Sequence, residues 1–124
     1  MDIATDFDVQ VEQPASDIAI VTVVGDADLH SAPELRNRLT DLMDEGVSHL
    51  VLDLSRTTFV DSMTLGVLLG CVKRLRAVDG SVEIVVPRAD IRRIFEITML
   101  DRVFDLRATR EQVLAGRIDG RGTA

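Results

Sequence analysis

An α/β layer fold with a mixed, mostly parallel sheet is the architecture this chain predicts, and three patterns carry the prediction. Short β-branched runs at 18–24, 49–54 and 82–86 alternate with longer segments whose apolar residues recur at helical spacing. Such alternation of strand and helix periods marks a sheet flanked by helices. The chain opens with two strand-like runs in succession, which places an antiparallel strand at one edge. No internal repeat and no linker divides the 124 residues, so one domain is expected, its core over about residues 7–115 and a flexible tail over 116–124. The predicted order is ββαβαβαβα, about five strands with about four helices.

Each element has its own signal. Phe7, Val9 and Val11 alternate with polar residues, as in a half-exposed strand, and a turn is expected over 14–17. Residues 18–24 are almost continuously apolar, as in a buried strand, and Gly25 is expected to end it. Ser31 and Glu34 have capping-box spacing, Pro33 suits a first helical turn, and Leu35, Leu39 and Leu42 share one face. Gly46 is the expected stop. Residues 49–54, interrupted only by Asp53, predict a central strand. A polar loop over 55–58 leads through Phe59 and Val60 to a second helix beginning near Ser62. Its predicted buried stripe is Leu65, Leu68, Leu69, Val72 and Leu75, and Gly66 and Gly70 are expected to allow close packing. Lys73, Arg74 and Arg76 suit the negative end of its dipole, and Asp79-Gly80 ends it. A strand over 82–86 is stopped by Pro87. Ile91, Ile94 and Phe95 give a third helix its apolar face, with Arg92 and Arg93 outside. Val103, Phe104 and Leu106 predict a short last strand, and Thr109 and Gln112 cap a final helix over 109–115.

Composition narrows the function classes. A net charge of −7 disfavours nucleic acid and anionic membrane as partners, and the absence of Trp and Tyr disfavours base stacking. An acidic domain is better matched to a protein with a basic patch. Cys71 is the only cysteine, so no intrachain disulfide forms; it reads as a small buried residue in a reducing compartment. The first six residues lack the apolar stretch of a signal peptide, and no apolar run approaches the ~20 residues of a membrane span. A cytoplasmic protein is expected.

Functional groups in α/β folds gather at the carboxyl ends of strands. Asp26, Asp28, Asp53 and Asp61-Ser62 belong there. His30 and His49 have no sequence-level partner for a triad or a metal pair and read as ordinary polar surface. Gly66 and Gly70 lack the following Lys-Ser or Lys-Thr of a phosphate loop. No catalytic set, metal or cofactor is therefore expected. Asp26, Asp28 and Asp53 resemble the acids of a receiver-type phosphoacceptor only superficially. One helix separates Asp28 from Asp53, where that fold needs a further strand and helix, and Pro87 stands where it needs a lysine.

Ser62 remains. A hydroxyl at a helix start suits an N-cap, worth ~1 kcal/mol. Asp61 is the alternative cap, which leaves Ser62 in the first turn. The position equally suits a phosphate acceptor. Phosphorylation adds about −1.5 to −2 charge, which a helix N-terminus tolerates. The domain would stay folded while its surface, already bearing Asp26, Asp28 and Asp61, became hostile to a close-fitting partner.

The motifs around these residues resemble one family. Gly25-Asp26-Ala27-Asp28 before a helix is similar to the Gly-Glu-Ile/Leu-Asp motif of single-domain STAS proteins, the anti-sigma factor antagonists. Leu52-Asp53-Leu54-Ser55 with Phe59-Val60-Asp61-Ser62 resembles their Asp-Leu-Ser…Phe-Ile/Met-Asp-Ser signature. Leu65-Gly66-Val67-Leu68-Leu69-Gly70 and Leu100-Asp101-Arg102-Val103-Phe104 extend the likeness to most of the chain. The resemblance implies a STAS fold and a partner-switching role. The unphosphorylated antagonist binds an anti-sigma factor that is also a serine kinase of the histidine-kinase-like ATPase type, and so frees a sigma factor. Phosphorylation of the serine matching Ser62 breaks the complex, and a PP2C-type phosphatase restores it. The expected contact surface is Gly25, Asp26, Asp28, Asp61, Ser62, Met63 and Thr64, with Asp61 helping to orient the serine. The alternative is a non-switching STAS subunit of a transporter or larger signalling complex. Met63 and Thr64 replace the usual Ser or Thr and Gly after the acceptor, so Thr64 offers a second hydroxyl, and Met99 replaces a common glycine.

Overall fold

A computed structural model describes residues 7–113. It has six strands among the described residues: β1 (Asp8–Ala15), β2 (Ile18–Ala27), β3 (His49–Asp53), β4 (Thr57–Val60), β5 (Ser81–Val85) and β6 (Asp105–Arg107). Three helices, α1 (Ala32–Asp44), α2 (Ser62–Arg76) and α3 (Ala89–Ile97), alternate with them, and a further helix is entered at 110–113. The sheet order is β1-β2-β3-β5-β6, with β4 paired to β2. Only the β1–β2 pair is antiparallel. The mixed α/β prediction thus holds, with one strand more than expected.

The additional strand comes from Gly25. The expected strand end is instead a bulge: Gly25 has φ of 89° and the strand runs on to Ala27. Before the bulge, Ile18 to Thr22 pair with β3; after it, Gly25 to Ala27 pair with β4. β4 therefore continues the line of β3 along β2, after a turn at 55–56. Thr57 anchors the junction, its hydroxyl donating to the Val23 carbonyl at 2.7 Å in a fully buried position. Glycine suits this place because its φ > 0 is open to few other residues. At the other end, β1 runs through Pro14 to Ala15, with a register shift between Glu12 and Ala15. An edge strand tolerates a residue that has no N–H to donate.

Alternate residues of the strands face opposite layers. Ala19, Val21 and Val23, Leu50 and Leu52, and Val82 and Ile84 join the main core with α1, α2 and α3. Phe95 and Phe104 meet edge-to-face there, 5.7 Å between centroids. Val103 and Phe104 thus precede the last strand and do not form it. On α2, Val67 and Cys71 are buried and Leu69 only half so, which rotates the expected stripe slightly. Gly66 and Gly70 do not serve close packing, since a Cβ on either meets nothing within 4 Å. They instead open a groove of about 330 Å³ against Arg36, Thr40 and Met43.

Ile20, Val51, Val85 and Val113 form a second, smaller cluster on the opposite face. A polar network crosses that face. Arg110 donates to Asp53 at 2.7 Å, to Thr22 at 2.8 Å and to Glu12 at 2.9 Å. Ser55 donates to the other Asp53 oxygen from its N–H at 2.9 Å and its hydroxyl at 2.6 Å. Asp53 is thus a buried structural acid, and Arg110 ties three strands to the last helix through it, Thr22 and Glu12. The predicted cap of that helix is present: Gln112 accepts from the Ala108 N–H at 2.8 Å and donates its own N–H to the Thr109 hydroxyl at 3.3 Å. The expected helix beyond 113 and the expected tail over 116–124 lie outside the described residues.

Burial raises the Asp53 carboxyl, but the Ser55 hydrogen bonds and Arg110 outweigh it and hold the group below its ordinary value. A carboxyl lowered in the folded state contributes stability above its unfolded value, about 3.9, and loses it as pH falls through the folded value. Asp53→Asn should lower stability at pH 7 by about 1–3 kcal/mol, the scale for buried polar partners left unmatched. In urea titrations the gap from the unaltered chain should close as pH drops below about 4; a gap independent of pH would refute the pairing. Gly80 makes a second test. Its N–H donates to the Leu75 carbonyl at 2.7 Å, and an added Cβ would run into the Ser48 carbonyl oxygen. Gly80→Ala should cost about 1–3 kcal/mol in the same titration.

Candidate functional site

The partner switch of β2 brings its carboxyl end against the start of α2. Asp26 pairs with Phe59 and Ala27 with Val60 across the β2–β4 ladder. Thr58 donates its hydroxyl to Asp26 at 2.6 Å. The buried Ala27 carbonyl accepts twice, from the Asp61 N–H at 3.2 Å and from the Thr64 hydroxyl at 2.7 Å. The two segments that carry the candidate residues are thereby fastened to each other.

Asp61 completes the joint. One carboxylate oxygen accepts from the Thr64 N–H at 3.0 Å, which makes Asp61 the N-cap of α2. The other accepts from the Leu29 N–H at 2.8 Å, across 32 residues of sequence. Of the two caps open to the sequence, Asp61 is the one used, and Ser62 is the first residue of the helix. Ser62 is exposed, and its hydroxyl makes no hydrogen bond among the described residues. The helix start leaves it near N–H groups that no intrahelical acceptor reaches.

The loop before α1 follows the same logic. The expected capping box of Ser31 and Glu34 does not form, because Ser31 has α-region backbone and no side-chain cap bond. Its hydroxyl instead donates to the Asp26 carbonyl at 2.8 Å and accepts from the Asp28 N–H at 2.9 Å. Asp28 takes over the turn, accepting from the His30 N–H at 2.9 Å and the Ser31 N–H at 3.2 Å. A shallow depression of about 380 Å³ lies here, lined by Phe7, Asp26, Asp28, His30, Ser31 and Glu34.

Gly25, Asp26, Asp28, Asp61, Ser62 and Met63 are thus brought to one end of the sheet. Thr64 is brought there too, but it is 2% exposed and its hydroxyl points inward, so it offers no second hydroxyl to a partner. Asp53 stands apart, on the opposite sheet face with Arg110. His49 is half-buried and hydrogen-bonded to Ser81 at 3.0 Å, which makes it part of the sheet and not plain surface. Met99 adopts φ of 62°, the left-handed conformation a glycine takes without strain. Burial pushes the Cys71 thiol up to about 11, against a smaller opposing pull from Arg74, so thiolate chemistry at neutral pH is suppressed. Among the described residues no group of His, Cys, Asp and Glu is placed to hold a metal, and no helix is long and apolar enough to cross a membrane.

Leu29 and Phe59 also surface here, 56% and 48% exposed, beside Met63 at 47%. The sequence reading assigns neither to the contact surface. The available signal was Leu29 standing between Asp28 and His30 in a polar loop, where no core face can receive it.

The profile of the STAS domain family matches residues 8–113. The anti-sigma-B factor antagonist of Bacillus subtilis (strain 168) is 33% identical over 105 residues, covering 85% of this chain and 94% of that protein. Its namesake in Staphylococcus aureus (strain NCTC 8325 / PS 47) is 34% identical over 80 residues, 64% of this chain and 74% of that protein. The crystal structure of an anti-sigma factor antagonist from Mycobacterium paratuberculosis superposes with a TM-score of 0.78 at 26% identity, over 94% of this chain and 97% of that one. The unphosphorylated form of the antagonist SpoIIAA superposes with a TM-score of 0.79, over 91% of this chain and 97% of that one; at 24% identity it speaks for the fold alone. With the family profile spanning nearly all the described residues and a relative matched over nearly its whole length, the chain belongs to the STAS domain family of anti-sigma factor antagonists.

Proposed function

We propose that this chain is a cytoplasmic anti-sigma factor antagonist switched by phosphorylation of Ser62. The observation that carries the reading is the division of labour at the start of α2: Asp61 caps the helix, which leaves the Ser62 hydroxyl exposed and without a structural bond. A serine needed as a cap could not be modified without cost to the helix. Ser62 can.

In its unmodified form the chain binds an anti-sigma factor through the face carrying Gly25, Asp26, Asp28, Asp61, Ser62 and Met63, with Thr64 contributing from beneath. The partner is a serine kinase of the histidine-kinase-like ATPase type, and its capture releases a sigma factor. The kinase transfers the γ-phosphoryl group of its bound ATP to Ser62 Oγ; ADP departs and the hydroxyl proton is lost. The added charge of about −1.5 to −2 sits at a helix N-terminus that tolerates it, so the fold persists. It also sits beside Asp26, Asp28 and Asp61, in a field already negative. A PP2C-type phosphatase hydrolyses the phosphoserine and resets the switch. The chain itself performs no catalytic step on this reading.

Incubation with the purified cognate kinase and ATP, followed by peptide mass spectrometry, should place a single phosphate on Ser62; label confined to another residue, or none, sinks the switch. In direct binding assays, Ser62→Ala should hold the kinase regardless of ATP. Ser62→Asp should bind at least about tenfold more weakly, as expected for a charge brought unpaired into a close-fitting contact. Equal affinity of the two variants would reduce Ser62 to a bystander.

A further inference from the structure

Six large apolar side chains stand exposed among the described residues, and three of them, Leu29, Phe59 and Met63, belong to the segments that meet at Asp61-Ser62. They come from three different segments. Leu29 is held by its N–H bond to Asp61, Phe59 sits at the end of β4 opposite Asp26, and Met63 follows Ser62 in the first turn of α2. The joint that frees the serine therefore also ties together the three segments that carry them. Asp26 and Asp28 border the group, half-exposed, and the chain as a whole carries a net charge of −7.

We propose that Leu29, Phe59 and Met63 form an apolar collar that docks onto an apolar patch of the anti-sigma factor, and that phosphate on Ser62 releases the partner because a dianion inside that collar cannot be dehydrated. The inference rests on the reading of this chain as an anti-sigma factor antagonist. The occupant follows from the chemistry of the rim: an apolar centre bordered by carboxylates is complementary to an apolar patch with basic neighbours, which is a protein surface and not an anionic lipid or nucleic acid. Contact centres of this kind carry most of the binding energy, while rim charges mainly set encounter rate and specificity. Burying a charge in such a centre is unfavourable whatever the long-range field, because the ion loses its water without gaining a partner. The collar thus assigns the release to dehydration; repulsion from Asp26 and Asp28 is present in the free chain as well and does not by itself expel the partner.

The test uses the full chain and each purified anti-sigma factor of the ATPase type encoded in the source genome, with binding measured by titration calorimetry. Leu29→Ser and Met63→Ser should each weaken binding by about tenfold or more, the scale for losing one buried apolar side chain. Val78→Ser, which removes an apolar residue 61% exposed beyond the far end of α2, should bind like the unaltered chain. All three positions are at the surface, so matched thermal melts are expected. The weakness of the Ser62-phosphorylated chain should persist at 1 M salt, where screening shortens to about 3 Å. If the unaltered chain binds and the two serine variants bind equally well, the collar is overturned while the antagonist reading stands. Recovery of binding by the phosphorylated chain at 1 M salt overturns dehydration in favour of a screenable electrostatic cause. Absence of binding to every such kinase overturns the antagonist reading, and the collar with it.

Discussion

The two oxygens of Asp61 organise this end of the molecule. One satisfies the Thr64 N–H within α2, the other the Leu29 N–H in the loop before α1. A carboxylate is suited to the task because it only accepts, and it can serve two donors from different directions. Bonds from N–H groups to an ionised acceptor are also about twice as strong as neutral ones. A serine in the same place has one oxygen on a shorter arm. It could cap the helix, but it could not also reach across to the neighbouring loop. The Asp-Ser order therefore matters: the acid does the structural work and the hydroxyl next to it is left exposed.

That joint depends in turn on the sheet. β2 reaches the site only because it survives Gly25, and it survives by exchanging β3 for β4 as its neighbour. Had the strand ended at Gly25, Ala27 would not stand where its carbonyl takes both the Asp61 N–H and the Thr64 hydroxyl. The inward turn of Thr64 belongs to the same arrangement. A residue that might have been a second modifiable hydroxyl is instead a buried peg between helix and strand, in a place where the related motif carries glycine.

Whatever is written in local periodicity was legible from the chain. The apolar faces of α1 and α2, the run of β3 and the Thr109–Gln112 cap each need only their own neighbours. β4 was not legible, because Thr57 and Thr58 look like loop and become strand only by pairing with residues far back in sequence. Gly25 is ambiguous for the same reason, since a glycine that ends a strand and one that bulges it are identical in sequence. Ser31 had the right spacing for a cap and lost the role to Asp28, whose side chain sits two and three residues ahead of the N–H groups it binds. At the site, Asp26, Asp28, Asp61 and Ser62 could be found by the rule that function gathers at strand ends. Leu29 had a signal, its place in a polar loop, but Phe59 had none, because an apolar residue is read first as core and only the fold shows that no core receives it.

A switch of the proposed kind needs a surface that can change sharply without disturbing what lies beneath it. Here the layers separate cleanly. The bonds that hold the site, from Asp61 to Leu29 and Thr64 and from Thr64 to Ala27, involve neither the Ser62 hydroxyl nor the exposed faces of Leu29, Phe59 and Met63. The polar network on Asp53 lies on the other sheet face and answers to acid, not to phosphate. Charge added at Ser62 would meet open N–H groups below and partner surface above. Its free-energy cost would then fall on the complex and not on the fold, which is the condition for a modification that governs binding alone.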